Sequence, residues 1–254
     1  MHSLSHQFDL ICHLSQRDFR LHYTGSVLGI LWSIIIPLFQ LLVFVFLFGR
    51  VVPLGIPDYP AFVFSALLPW TWFNNCVGAA GGLFISNRDL LRQPNFAPAT
   101  LIVINMLSNL LSYLVSLPIL LILLFLYGRS ISIVVALFPL LILVQGILIV
   151  GIGLIVATMN VFYRDVQHLV RVALSVFFYL VPVFYLPQQF GANLSGWFMA
   201  NPVAVLIHGY REIFFYQRAP SWEALFLTTF ASLIVGGLGY LVYLHQQSQI
   251  IDAL

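Results

Sequence analysis

The stretch from Met159 to Leu186, MNVFYRDVQHLVRVALSVFFYLVPVFYL, constrains this chain more than any other. A long apolar run leads into it, and an aromatic run containing Pro182 leads out. Between them stands Arg164-Asp165, a charged pair in a sequence of which only 7% is charged. Charge is costly in hydrocarbon, so the pair belongs at a membrane face. The block therefore reads as helix, short aqueous turn, helix. On the cytoplasmic side such a turn can be gripped by a water-soluble partner.

Composition excludes most alternatives. Hydrophobic residues make up 61% of the 254, whereas ordinary soluble domains carry about 25% charged residues. All ten basic residues are Arg. Without Lys there is no P-loop, whose Lys reaches the terminal phosphates, and no Schiff-base chemistry. Cys12 and Cys76 stand in no CxxC spacing, so neither metal nor redox chemistry is expected. The histidines are scattered, HExxH and GxSxG are missing, and no catalytic residue is proposed. Glu212 and Glu223, the only Glu residues, fall near the outer boundary. A proton relay needs a titratable group inside a span, and none is clear in spans one, three, four or six. The energy for any transport must come from outside this chain.

The apolar runs predict an all-α integral membrane protein with six transmembrane helices, since about 20 apolar residues cross the hydrocarbon. The spans are read at Val27–Val52, Ala61–Ile85, Leu101–Tyr127, Ile131–Met159, Val166–Leu186 and Trp222–Leu244. The chain is thus one transmembrane domain. Residues 1–26 hold an amphipathic interface helix, 27–186 spans one to five, 187–221 an external re-entrant gate and 222–245 span six, with a short polar tail. In the interface helix Leu4, Phe8, Ile11, Cys12 and Phe19 share one face. The polar opening of the chain does not read as a signal peptide. The loop at 87–100 carries Arg88, Asp89 and Arg92 in a short helix, Asn87–Arg92, ended by Pro94. In 187–221 two blocks, Leu194–Ala200 and Val203–Phe215, are split by Asn201-Pro202. They are too short to span and predict a re-entrant hairpin.

Pro69, Asn74 and Asn75 make the second span locally polar, so it should face protein or a cavity. Gly78, Gly81, Gly82, Gly146, Gly151 and Gly153 offer notches for close helix approach. With six spans both termini share a side. Arg17, Arg20, Arg88, Arg92, Arg164 and Arg171 fall on that side and Arg50, Arg129, Arg211 and Arg218 on the other, which makes the termini cytoplasmic. Arg171 and His168 sit one turn inside the cytoplasmic end of span five, where a long side chain can snorkel.

The ordered motifs resemble a known family. RDFRLHYTGSVLGILWSIIIPLFQ is similar to the opening of ABC-2 type permeases that export polysaccharide, O-antigen or teichoic acid, at Arg17, Asp18, Arg20, Tyr23, Ser26, Leu28, Gly29, Trp32 and Pro37. LLPWTWF resembles the second-span block. NVFYRDVQHLVR and PVFY resemble the turn and fifth span, and NPVAVLIHGYRE the external gate. The resemblance implies a homodimeric permease in the plasma (inner) membrane, joined by two copies of an ABC ATPase subunit that holds ATP and Mg. It implies no cofactor in this chain, no nucleic-acid partner and a lipid-linked glycan as substrate.

The resemblance places the coupling helix at Asn87–Arg92 and the gate at Leu194–Phe215, and the residues themselves suggest the other candidates. ATPase coupling falls to Arg88, Asp89 and Arg92, with Arg164, Asp165, Arg17, Asp18 and Arg20 nearby. The channel or gate falls to Trp32, Trp70, Trp72, Phe73, Phe177, Tyr179, Tyr185, Asn201, Pro202, Tyr210 and Arg211. Aromatic faces hold sugars without fixed hydrogen bonds, and Tyr and Trp add a polar tip. An ABC-2 exporter of a small lipid or drug stands as an alternative, and an intramembrane enzyme or scaffold as one from another class.

Overall fold

In lipid every backbone polar group must be satisfied within the protein, so a chain this apolar has to be helical. The computed structural model describes residues 15, 29–93, 96–187, 196 and 200–253, and among these the regular structure is helix without strand. A 3-10 turn, Gly29–Leu31, opens α1 (Trp32–Phe46), which continues through a π-helical turn, Leu47–Val51. α2 (Tyr59–Ser86), the four-residue α3 (Arg88–Leu91) and α4 (Ala99–Leu126) follow. A 3-10 turn, Ile133–Leu137, leads into α5 (Phe138–Phe162), followed by α6 (Val166–Leu180). α7 (Pro202–Arg211) runs on through a π-helical turn, Glu212–Tyr216, and α8 (Trp222–Ala253) ends the chain. The predicted interface helix, with Arg17, Asp18 and Arg20, lies outside the described residues apart from Ser15. So do Pro94 and most of the block Leu194–Ala200.

Among the described residues four stretches are long and apolar enough to cross a membrane: Trp32–Val51, Ala99–Leu126, Ile133–Phe162 and Trp222–Ile250. They match the expected spans one, three, four and six. α2 is 28 residues long, but Pro69, Thr71, Asn74 and Asn75 dilute its middle. It is the central helix, touched by α1, α4, α5, α6 and α7, and Phe62, Phe64, Trp72 and Phe84 are buried along it. α6 has 15 residues, about 22 Å of helix against a hydrocarbon core of about 30 Å.

Small residues and buried amides set the helix contacts. α5 and α8 share the most extensive interface. A Cβ at Gly151 would lie 2.7 Å from the Gly236 backbone, and one at Gly153 would lie 2.8 Å from Ile102. Without a hydrophobic drive between helices in lipid, such approach is what packing rests on. Gln145 donates to the Pro69 carbonyl at 2.8 Å. Asn160 donates to the Gly81 carbonyl at 2.8 Å and accepts from the Gln167 amide at 2.9 Å, tying α5 to α2 and to the start of α6. Asn105 donates to the Cys76 carbonyl at 3.0 Å, joining α4 to α2.

Two elements differ from the sequence reading. The helix predicted to reach Leu186 ends at Leu180. Proline pushes its predecessor out of the α region, and Val181, before Pro182, is extended at φ −97°, ψ 130°. The freed carbonyls are not left bare. Arg211 donates from Nη2 to Pro182 O at 2.8 Å and Val183 O at 2.7 Å, and Tyr59 Oη donates to Phe184 O at 3.0 Å. The second difference is the tail. α8 continues to Ala253, and Ile250 is fully buried in a cluster that includes Tyr243, Leu91, Phe84 and Leu101. No Gly or Pro follows Gly239 to stop that helix.

Candidate functional site: a polar cavity inside the helix bundle

Helix α4 carries Asn105, Ser108, Asn109, Ser112 and Ser116 at spacings of three and four, so their side chains share one face. α2 contributes Thr71, Trp72, Asn74 and Asn75 opposite it. Together with Trp32 and Ser33 of α1 and Arg171, Leu174 and Ser175 of α6, they enclose a cavity of about 620 Å³. That falls within the few hundred to ~1,000 Å³ typical of small-ligand sites. Among the described lining residues amides and hydroxyls outnumber apolar side chains, although apolar atoms make up most of the wall, and Arg171 alone carries a fixed charge.

Hydrogen bonds hold the wall in shape. Trp72 Nε1 donates to Met106 O at 3.1 Å, and its ring stacks on Tyr113 at 5.9 Å. Ser116 Oγ donates to Ser33 O at 2.9 Å and pins α4 to α1. Asn109 Nδ2 donates to Asn105 Oδ1 at 3.0 Å. The cavity opens between α1 and α6, where the lining residues Trp32 and Ile36 are 41% and 51% exposed.

The predicted channel aromatics divide. Trp32 and Trp72 line the cavity. Trp70, Phe73 and Phe177 instead pack on one another and on Phe178, with ring separations of 5.5 to 6.4 Å, and form the core where α2 meets α6. Tyr179 faces outward, and its carbonyl accepts from Tyr185 Oη at 3.0 Å. Tyr210 is fully buried against Tyr113 and Phe138. Asn201 caps α7 by accepting from the Val203 amide at 3.0 Å, and Pro202 takes the first helical position, where its missing N–H does no harm. Arg211, read as external, is wholly buried, with its guanidinium 3.8 Å from the Phe62 ring centroid.

Arg88 and Asp89, in the four-residue α3, and Arg92, at its C-cap, are exposed, as are Arg164 and Asp165 in the turn between α5 and α6. On the opposite end of the bundle Arg129 binds Asp58 at 2.7 Å, donates to Phe215 O at 2.6 Å and lies 3.8 Å over the Phe215 ring. That clamp and the α4 stripe were missed from sequence. The stripe had a readable signal, its regular polar spacing inside an apolar run. The clamp had none, because Asp58 and Arg129 are 71 residues apart.

Apolar helices around an amide- and hydroxyl-lined cavity define a polytopic membrane protein with a polar interior. The profile of the ABC-2 type transporter family matches residues 9–215, and the chain belongs to that family. It is similar to the O-antigen export system permease protein RfbA of Myxococcus xanthus, 35% identical over 230 residues that cover 89% of this chain and 88% of that one. A Klebsiella pneumoniae protein of the same name is 30% identical over 240 residues, 92% of each chain. The polysialic acid transport protein KpsM of Escherichia coli is 24% identical over 232 residues, 87% of this chain and 88% of that one.

Proposed function

We propose that this chain is the permease subunit of an ATP-driven exporter that carries a lipid-linked polysaccharide across the plasma membrane. The cavity carries this reading. Among its apolar walls Asn74, Asn75, Asn105, Asn109 and the α4 serines offer donors and acceptors matched to sugar hydroxyls. Relatives named for O-antigen export and polysialic acid transport support the same substrate class.

In this reading six segments cross the membrane, α2 and α6 completing the four apolar stretches, and both termini are cytoplasmic. α7 is the second limb of an external re-entrant hairpin. A second copy closes the cavity along α1 and α6, whose outer faces carry Ile36, Phe39, Phe46, Val172, Val176 and Tyr179, each more than half exposed. ATP and Mg reside on two copies of a separate ATPase subunit, which dock at Arg88, Asp89 and Arg92 and at the Arg164-Asp165 turn. Deletion of the gene followed by staining of surface glycan tests the reading. Loss of surface polymer, restored by the intact gene, is expected. Unchanged polymer with new drug sensitivity would replace glycan by a small amphiphile.

A further inference from the structure

We infer that Asn160 is a positioning residue: its side-chain amide locks the Arg164-Asp165 turn to α2, so that the turn and the loop carrying α3 move as one body. The lock is read from contacts within the chain. Its use in docking an ATPase rests on the export reading.

A helix that starts in a short turn leaves its first N–H groups without partners, and an Asp just ahead of the first helical residue is an ordinary remedy. Asp165 holds that place before α6, yet its side chain makes no capping bond. The bond comes from the preceding helix instead. Asn160 Oδ1 accepts from the Gln167 amide at 2.9 Å. The Asp165 carboxylate is thereby left to the exposed face of the turn.

The other end of the same amide points away from the turn. Asn160 Nδ2 donates to the Gly81 carbonyl of α2 at 2.8 Å, and the residue is 1% exposed. A buried amide bonded at both ends holds its neighbours in one geometry, because breaking either bond strands a polar group away from water. α2 is shaped to receive α6 at this level. A Cβ at Gly81 would lie 3.0 Å from Gln167 Cβ and 3.3 Å from Gln167 Cα, so the missing side chain is what lets the two helices meet. Nearer the start of α5, Gln145 repeats the tie by donating to Pro69 O at 2.8 Å. Asn160 and Gln145 lie about 22 Å apart along α5, and bonds at both points hold α5 and α2 as a rigid pair. α2 ends at Ser86 and passes through Asn87 straight into α3. Both charged segments are therefore carried on the α2–α5 pair. A push on either is delivered to the wall that Thr71, Trp72, Asn74 and Asn75 of α2 give the cavity.

The test reads hydrogen exchange in the full-length protein in nanodiscs of phosphatidylcholine, and surface glycan in a deletion strain carrying the same variants. Asn160→Leu keeps the size of the side chain and removes both bonds. It should speed exchange across 163–168 about fivefold or more, the usual effect of losing a helix cap, with α4 and α8 as protected as in wild type. It should also lower surface glycan at normal permease abundance. Gly81→Ala presses a methyl on Gln167 and should loosen the same segment without touching Asn160. Gly82→Ala, whose methyl would meet only the flexible amide end of Gln167 at 3.4 Å, should not. Asp165→Ala should leave exchange across 163–168 as it is. Unchanged exchange in Asn160→Leu overturns the inference, and where that variant fails to insert, unchanged exchange in Gly81→Ala does. Equal loosening by Asp165→Ala also overturns it, since the cap would then belong to Asp165. So does faster exchange spread over every helix, which would make Asn160 a residue of general stability. Wild-type surface glycan with a loosened turn overturns the positioning role. If the wild-type gene itself restores no glycan, the export reading falls, and the exchange result still decides the lock.

Discussion

Two arginines, one buried and one half-buried, show how the fold satisfies a cation away from bulk water. Arg211 has no carboxylate within reach among the described residues. Its neutral partners are the carbonyls of Pro182 and Val183 and the face of Phe62. Those carbonyls exist as free acceptors because Pro182 breaks α6, so the cation and the helix break explain each other. Removing the guanidinium leaves buried carbonyl acceptors without a donor, which costs about 1–3 kcal/mol each. Arg211→Leu is accordingly expected to lower the melting temperature in detergent and to expose the segment 181–186 to limited proteolysis. Arg211→Lys should recover only part of the loss, since an ammonium lacks the planar fork and the ring-stacking face. A melting curve for Arg211→Leu that overlays wild type would remove the residue from the fold's support. At the opposite loop the Arg129–Asp58 pair is 25% and 29% exposed. Its charge-assisted bonds are worth about 1.5–3 kcal/mol at most, so Arg129→Ala should destabilise by less than Arg211→Leu in the same assay.

At the level of elements, contact between α5 and α8 depends on what is missing from the side chains. Gly151→Ala would force a methyl against the backbone of Gly236, and overpacking of this kind costs about 1–3 kcal/mol. Gly237, one residue away, has open space around it. Gly151→Ala should reduce the monodisperse fraction on size-exclusion chromatography while Gly237→Ala leaves it unchanged, and equal yields would show that the interface can shift apart. Gly151 as a packing notch was legible in the sequence, because a glycine inside an apolar helix has few other uses. The positions of spans one, three, four and six were legible for a similar reason: long apolar runs leave the backbone one choice. The end of α6 was not, although Pro182 was in plain view. Membrane helices often carry proline within them, as α1, α2 and α4 do here at Pro37, Pro69 and Pro118. What decides at Pro182 is the arrival of Arg211 and Tyr59, 29 and 123 residues away in sequence. The aromatic assignments suffered likewise. Trp70, Phe73 and Phe177 have the same chemistry as Trp32 and Trp72, and only the rotation of α2 and α6 decides which rings pack together and which line the cavity.

At the scale of the whole molecule, the loop that carries α3, cytoplasmic in the proposed topology, is the place where energy from a partner would have to enter. The short helix α3 is exposed at Arg88, Asp89 and Arg92, but its Leu91 is 3% exposed and belongs to the cluster that contains Phe84, Leu101, Leu154, Tyr243 and Ile250. α3 is thus a polar handle on an apolar root, and the root includes the far end of α8. Two perturbations separate handle from root. Ile250→Asp buries an unpaired carboxylate beside Leu91's cluster and should loosen the root, seen as faster hydrogen exchange across 88–93 with the membrane helices still protected. Arg88→Glu with Arg92→Glu leaves the root intact and reverses the handle's charge. A buried interfacial charge pair loses about 2–5 kcal/mol when one side is truncated, so reversal should abolish both ATPase co-purification and surface glycan while the permease remains at its normal level in the membrane. Normal export by that double variant at wild-type abundance would take α3 out of the coupling mechanism and leave the Arg164-Asp165 turn as the remaining proposed docking point among the described residues.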